Sequence, residues 1–225
     1  MAKTTSSRKA KSGHKAKSGH KAKSGRKAKS GRKAKSSRKP ESGARLPFTA
    51  GPWGGTGGQR FDDWAEWPIW TGSPQDGTPV QGVQVNHGKT LDHLVVAYQF
   101  KHLSHFIEVQ HGSSWGGVKY DPFFIKPRER FIGVEGWHHV FDGTRQLNAL
   151  QFTIVNTQTG AIRKSPLFGE PTDTYFRFPP DPVWEIIAFW GNQGFYVDSL
   201  GVTYAPTGWQ DSLKKRHTLL RRSLL

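Results

Sequence analysis

Over 225 residues the chain carries 33 Lys and Arg against 17 Asp and Glu, a formal net charge of +16, and no cysteine, which excludes a disulfide framework and any thiolate metal site. The charge is concentrated at the ends: residues 1–45 hold seventeen Lys and Arg against Glu41, and 211–225 hold five against Asp211. The stretch between them, 46–210, holds eleven basic and fifteen acidic residues, so the middle of the chain is mildly acidic.

From Arg8 a six-residue unit of the form [Arg/His]-Lys-Ala-Lys-Ser-Gly repeats through Ser37, closing at Pro40 and Gly43. Its glycines and crowded like charges oppose a helix, and it offers no large apolar side chain to bury. Residues 1–45 are therefore expected to be a disordered arm that condenses on polyanions, nucleic acid among them, with little sequence preference because no aromatic is present to stack on bases. A solubilising or targeting extension with no dedicated partner is the plainer alternative. The N-terminus has no apolar segment of signal-peptide type, and no apolar run reaches the roughly 18–20 residues of a membrane span. The expected location is thus intracellular, cytoplasmic or nuclear.

From Phe48 the composition shifts to Gly, Trp, Phe and β-branched residues. Gly51-Pro52-Trp53-Gly54-Gly55-Thr56-Gly57-Gly58 reads as a glycine-rich loop incompatible with a helix. Short strands are predicted at 82–86, 91–98, 105–109, 130–135, 147–155 and 174–178, each bounded by turn-forming residues and several alternating polar with apolar. No convincing helical period occurs before residue 211, so the reading is all-β in one domain, 46–210. The last segment, 211–225, mixes leucines with basic residues and reads as a basic tail, frayed or weakly amphipathic.

The most informative stretch follows the strand-like run Trp184–Trp190. Gly194-Phe195-Tyr196-Val197-Asp198 sits in the turn of a predicted β-hairpin that resumes at Leu200. It packs a permissive glycine, two aromatics and a carboxylate into five residues. Amide donors beside a fixed acceptor suit adjacent hydroxyls, and aromatic faces suit a C–H surface, which together describe a sugar. The same loop also fits an ordinary turn whose Asp satisfies its own backbone.

Several segments in order resemble the jacalin-related lectins. They are Gly51–Gly58, Val85-Asn86-His87-Gly88-Lys89-Thr90-Leu91-Asp92-His93-Leu94, His111-Gly112-Ser113-Ser114-Trp115-Gly116-Gly117, Phe131–Gly136, Leu147–Phe152 and the closing Gly194–Asp198, covering about residues 50–206. The resemblance implies a β-prism of three four-stranded antiparallel sheets and a shallow site for glycans. It carries the site onto Gly58 from the first loop and Gly194, Phe195, Tyr196 and Asp198 from the second, with Thr144 and Arg145 at a possible edge. An uncleaved chain ahead of the glycine loop points to the mannose/glucose-binding branch, while the Phe195-Tyr196 pair is a surface that the galactose branch favours. A shallow single site further implies a homo-oligomer, or another way of holding several sites together.

Nothing converges on catalysis, a metal or another cofactor. His138 and His139 are adjacent and would face opposite sides of a strand. His102 and His105 have the same difficulty, and Asp62-Asp63 read as turn residues. The rival function is a polyanion-binding protein that uses the prism only as a scaffold.

Overall fold

The first and last strands of the folded chain lie in one sheet, and that closure builds the site. The computed structural model describes residues 47–71, 77–100, 103–172 and 174–209. The basic arm, the C-terminal tail and His102 fall outside them. In chain order the elements are β1 (Phe48–Gly54), β2 (Gln59–Asp62), α1 (Asp63–Thr71), β3 (Gly77–His87), β4 (Leu91–Phe100), β5 (Phe106–Gly112), β6 (Val118–Lys119) and β7 (Phe123–Phe124). Then come β8 (Glu129–Phe141), β9 (Thr144–Asn156), β10 (Ile162–Lys164), β11 (Phe168–Gly169), β12 (Thr174–Phe178), β13 (Trp184–Gln193) and β14 (Val197–Pro206).

Three antiparallel sheets result, each built on a central hairpin: β13–β14, β3–β4 and β8–β9. The first sheet runs β1-β14-β13-β2. In the second, β5 flanks β4 while β6 and β7 both pair with β3. In the third, β12 flanks β8 while β10 and β11 both pair with β9. The paired short segments are two halves of one interrupted edge strand, so each sheet has four strand positions, as a β-prism requires.

The core fills the space between the sheets with aromatics. Phe152 of β9 meets Phe131, Phe168 and Phe189 with ring centroids 5.5, 6.3 and 5.9 Å apart, linking two of the sheets edge to face. The tryptophans divide between packing and exposure: Trp67 and Trp209 are buried, Trp53 stacks on Phe176, and Trp115 stands out in solvent.

Two sequence expectations need correction here. Part of the glycine-rich opening is strand, because Gly51–Gly54 belong to β1 and pair with β14 around an irregularity in register. Asp62 and Asp63 are not simple turn residues either. Asp62 caps a nine-residue helix, its Oδ1 accepting the Ala65 amide at 3.2 Å, and Asp63 and Glu66 place negative charge in the first turn.

Asp63 is fully buried, where an ionised carboxylate needs partners. The Tyr98 hydroxyl donates to its Oδ2 at 2.5 Å, and the same hydroxyl oxygen accepts the Phe189 amide at 3.3 Å. Burial, with Asp63 second, holds the Tyr98 phenol well above its ordinary range. His111 Nε2 lies 3.0 Å from Asp63 Oδ1, at ion-pair distance but without hydrogen-bond alignment, and its ring stacks on Phe61 at 3.8 Å. One small network thus ties α1, β4, β5 and β13 together. Tyr98→Phe preserves the ring but strips Asp63 Oδ2 and the Phe189 amide of their partner, and each buried group left unpaired costs about 1–3 kcal/mol. Thermal unfolding should show a lower midpoint; an unchanged one would mean that the hydroxyl contributes nothing to holding the sheets.

Candidate functional site

Topology, not sequence proximity, brings the two predicted loops together. Strand β1 pairs with β14 and β2 pairs with β13, so residues 55–58 must cross over the end of the β13–β14 hairpin. The crossing is tight. The Gly55 amide donates to the Asp198 carbonyl at 2.8 Å, and a Cβ on Gly57 would sit 3.3 Å from Asp198 Oδ1. At Gly58, φ is +66°, and a Cβ there would fall 2.1 Å from the Gln193 carbonyl oxygen and 2.8 Å from the Gly194 nitrogen. Only glycine permits both the left-handed backbone and the approach.

The hairpin turn itself closes through the Gly194 amide, which donates to the Tyr196 carbonyl at 2.9 Å. Gly194 is not in the left-handed region, and a Cβ on it would approach nothing closer than 3.6 Å. The permissive glycine of the site is therefore Gly58, and the turn does not depend on Gly194 in the way its sequence suggests. No described residue accepts from the amides of Phe195 and Tyr196 or from that of Gly58.

Asp198 is the acceptor among these donors. It is only 5% exposed, yet among the described residues its carboxylate takes no hydrogen bond and enters no ion pair. Burial alone pushes its carboxyl above the ordinary carboxylate range. A turn-satisfying aspartate would bond to its own backbone, so the plain-turn reading does not describe Asp198. Beside it Phe195 is 64% exposed, with its ring edge-on to Tyr196 at 5.3 Å.

The β8–β9 turn borders this arrangement. Phe141 meets Tyr196 edge to face at 6.0 Å, and Lys89 from the β3–β4 turn lies over the Phe141 ring at 5.9 Å. All three hairpin turns therefore share one end of the molecule. Thr144 and Arg145 open β9 beside the glycine loop, and with Gly54–Gly57, Val140 and Gly143 they line a groove of about 480 Å³.

The structure also reveals a second copy of the same construction, built on Gly88-Lys89-Thr90-Leu91-Asp92. The Gly88 amide donates to the Thr90 carbonyl at 3.0 Å, matching Gly194 and Tyr196. The Ser113 amide donates to the Asp92 carbonyl at 2.8 Å, matching Gly55 and Asp198. Its carboxylate is closed off, however. Asp92 Oδ1 accepts the Thr90 hydroxyl at 3.2 Å, and Oδ2 is buried against Gly116 and Gly117. The Gly-x-x-x-Asp spacing was the sequence signal for this copy; what distinguishes the closed loop is that its third residue, Thr90, bonds the carboxylate while Gly116 and Gly117 cover the other oxygen, whereas Tyr196 makes no such bond to Asp198.

Residues 50–203 match the family model for the jacalin-like lectin domain. The chain belongs to that family. Its members are lectins, proteins that bind carbohydrate without transforming it. Jacalin-related lectin 3 of Arabidopsis thaliana is 31% identical over 163 residues, which is 71% of this chain and 24% of that protein. The agglutinin of Castanea crenata is 26% identical over 159 residues, 70% of this chain and 46% of that one. The chain thus spans about a quarter and about half of these relatives. Among solved structures, Malaysian banana lectin aligns with a TM-score of 0.57 at 22% identity, over 72% of this chain and 99% of that one. A mannose-specific jacalin-related lectin from Morus nigra, solved with mannose, aligns with a TM-score of 0.55 at 20% identity, over 72% and 97%. These structures establish the β-prism fold. Among the described residues no helix is long and apolar enough to cross a membrane.

Proposed function

We propose that this jacalin-like lectin domain binds glycans of mannose or glucose type at the Asp198 loop. The observation that carries the reading is the desolvated, unpartnered Asp198 carboxylate lying against Gly57, beside the unengaged amides of Gly58, Phe195 and Tyr196. Adjacent sugar hydroxyls are donors and acceptors at once. They would donate to Asp198 and accept from the amides, while Phe195 covers a C–H face. The mannose or glucose preference over galactose is supported by the internal position of the glycine loop, which β1 precedes, and by the mannose-specific lectin of Morus nigra among proteins of this fold. One shallow site of this size should bind a monosaccharide at roughly 0.1–10 mM, so useful affinity requires several sites held together, as in a homo-oligomer. A glycan array carrying mannose, glucose and galactose structures tests the assignment. Signals confined to galactose would overturn the preference, and no signal at all would overturn the site.

The second part of the proposal concerns residues 1–45, whose seventeen Lys and Arg against one Glu favour a polyanion-binding tether. Attached to the lectin domain, it would concentrate sugar sites on an anionic surface, and an intracellular location suits such a partner. Duplex-DNA affinity should fall with salt at roughly 0.9 logarithmic units per decade for each phosphate neutralised. Deleting 1–45 should abolish that binding and leave the sugar site untouched. If the deleted protein still binds DNA with the same salt slope, the arm has no such role and the prism itself is the polyanion-binding surface.

A further inference from the structure

The groove beside the Asp198 loop carries an unusual cation. Its walls are Gly54–Gly57 on one side and the start of the β8–β9 hairpin on the other. A Cβ on Gly55 would fall 1.8 Å from the Arg145 carbonyl oxygen, so the glycine loop rests directly on this residue's backbone and fixes where it stands. Across the hairpin Arg145 pairs with Val140, which puts the two side chains on one face, and Val140 is 65% exposed. Among the described residues the Arg145 guanidinium makes no ion pair, hydrogen bond or ring contact. The Thr144 hydroxyl is already engaged, donating to the Phe141 carbonyl at 3.2 Å and accepting from Gln146 at 2.9 Å. Arg145 is thus the free charged group of the groove, which among the described residues also holds the unengaged Thr56 hydroxyl.

Nearby charge does not neutralise it. Asp142, in the turn of the same hairpin, forms no ion pair with it. His138 is held below the usual histidine range by burial first and by the positive charge of Arg145 second. A guanidinium presents planar, paired donors that match a carboxylate or a sulfate and have no comparable match in a neutral hydroxyl. The groove's volume lies within the roughly 300–1,000 Å³ of small-ligand sites.

The distances set where the anion belongs. Gly57 lies against the Asp198 carboxylate and Gly55 against the Arg145 backbone, two residues of chain span at most about 7 Å, and Arg145 lines the groove that starts there. That is the reach of adjoining residues in an oligosaccharide. An anion on the residue seated at Asp198 would be repelled by that carboxylate, so the two charges sort the ligand into a neutral residue and an acidic neighbour. We propose that the groove takes a glycan residue bearing a carboxylate or sulfate, gripped by Arg145, next to a neutral residue on Asp198. This rests on the sugar reading of the Asp198 loop and adds the ligand's class to it.

The test measures full-chain binding to three disaccharides: mannosyl-glucose, its glucuronate counterpart and its 6-sulfate counterpart. The acidic forms should bind about three- to tenfold more tightly than the neutral one, the range for charge-assisted bonds at an accessible cation. Arg145→Gln should erase that ratio without changing the melting temperature, and Arg145→Lys should restore part of it. Because the basic arm attracts anions by itself, Asp198→Asn is the control: the acid-dependent gain should vanish with it. A gain that survives Arg145→Gln belongs to the arm, and equal affinities for all three ligands remove the role of Arg145; either outcome overturns the proposal while the sugar site stands. If the neutral disaccharide does not bind the wild-type chain at all, the sugar reading falls and this one with it. The ratio between glucuronate and sulfate identifies which anion the groove prefers.

Discussion

Asp198→Asn is expected to abolish measurable monosaccharide binding while the protein melts at the same temperature or slightly higher. Both halves follow from the same geometry. The carboxylate accepts nothing from the protein, so its removal breaks no internal bond. Its raised carboxyl means that the ionised form is penalised in the folded state. Ionisation therefore costs stability once the pH exceeds the ordinary carboxylate value of about 3.9, reaching its full cost above the higher folded value. At neutral pH the asparagine variant escapes that cost, and the difference in stability should close as the pH falls below the ordinary value. Binding moves the opposite way. Charge-assisted bonds to two hydroxyls, at about 1.5–3 kcal/mol each, account for most of the roughly 3–5 kcal/mol that a millimolar site delivers. In the wild type, affinity should decline as acid protonates Asp198, starting above the pH expected of an exposed aspartate. Titration of mannose binding beside thermal unfolding, at several pH values, reads all of this. Wild-type affinity in the variant would move the site elsewhere; unfolding would make the carboxylate structural after all.

Much of this arrangement is legible in the sequence, and what escapes has identifiable causes. The predicted strand at 174–178 coincides with β12, and those at 82–86, 91–98, 130–135 and 147–155 fall inside longer strands, while that at 105–109 starts one residue ahead of β5, since alternation of β-branched and aromatic residues marks strand interiors better than ends. Helix α1 escapes because Asp63–Thr71 holds three tryptophans and Pro68, which blur the helical period. Its signal was the cap: Asp62 followed by acids in the first turn. For the proposed site, the resemblance pointed to Asp198, and the sugar-like chemistry of its loop was read from the residues it packs together. The division of labour between glycines was not. Gly194 stands out in the motif, but it is Gly58, some 140 residues earlier, whose backbone conformation and contact the hairpin demands. That demand exists only once β1 and β2 embrace β13–β14. The closed Asp92 loop escaped for the same reason, because spacing alone does not show which carboxylate keeps its oxygens free.

Gly58→Val, in contrast to Asp198→Asn, should lose sugar binding and stability together. From the sequence, its expected effect is a selective block of backbone approach to the ligand. In the structure a Cβ at residue 58 points at the Gln193 carbonyl, 2.1 Å from its oxygen and 2.4 Å from its carbon, before any ligand is considered. Those are backbone atoms of a paired strand, so they yield only if β2 and β13 part where Gln59 faces Gln193. The left-handed backbone, φ +66°, adds about 1–2 kcal/mol for any residue with a Cβ and more for a β-branched one. Gly160 separates the two contributions: its φ is +72°, but a Cβ there meets nothing within 4 Å. Gly160→Ala should therefore show the conformational cost alone, near 1 kcal/mol, with sugar binding intact. Gly58→Ala should exceed it by the clash, and Gly58→Val by more again, in step with falling affinity for mannose. Equal melting temperatures for Gly58→Ala and Gly160→Ala would show that the hairpin end yields freely. The loop would then be a flexible cover over Asp198 rather than the rigid wall that presents it.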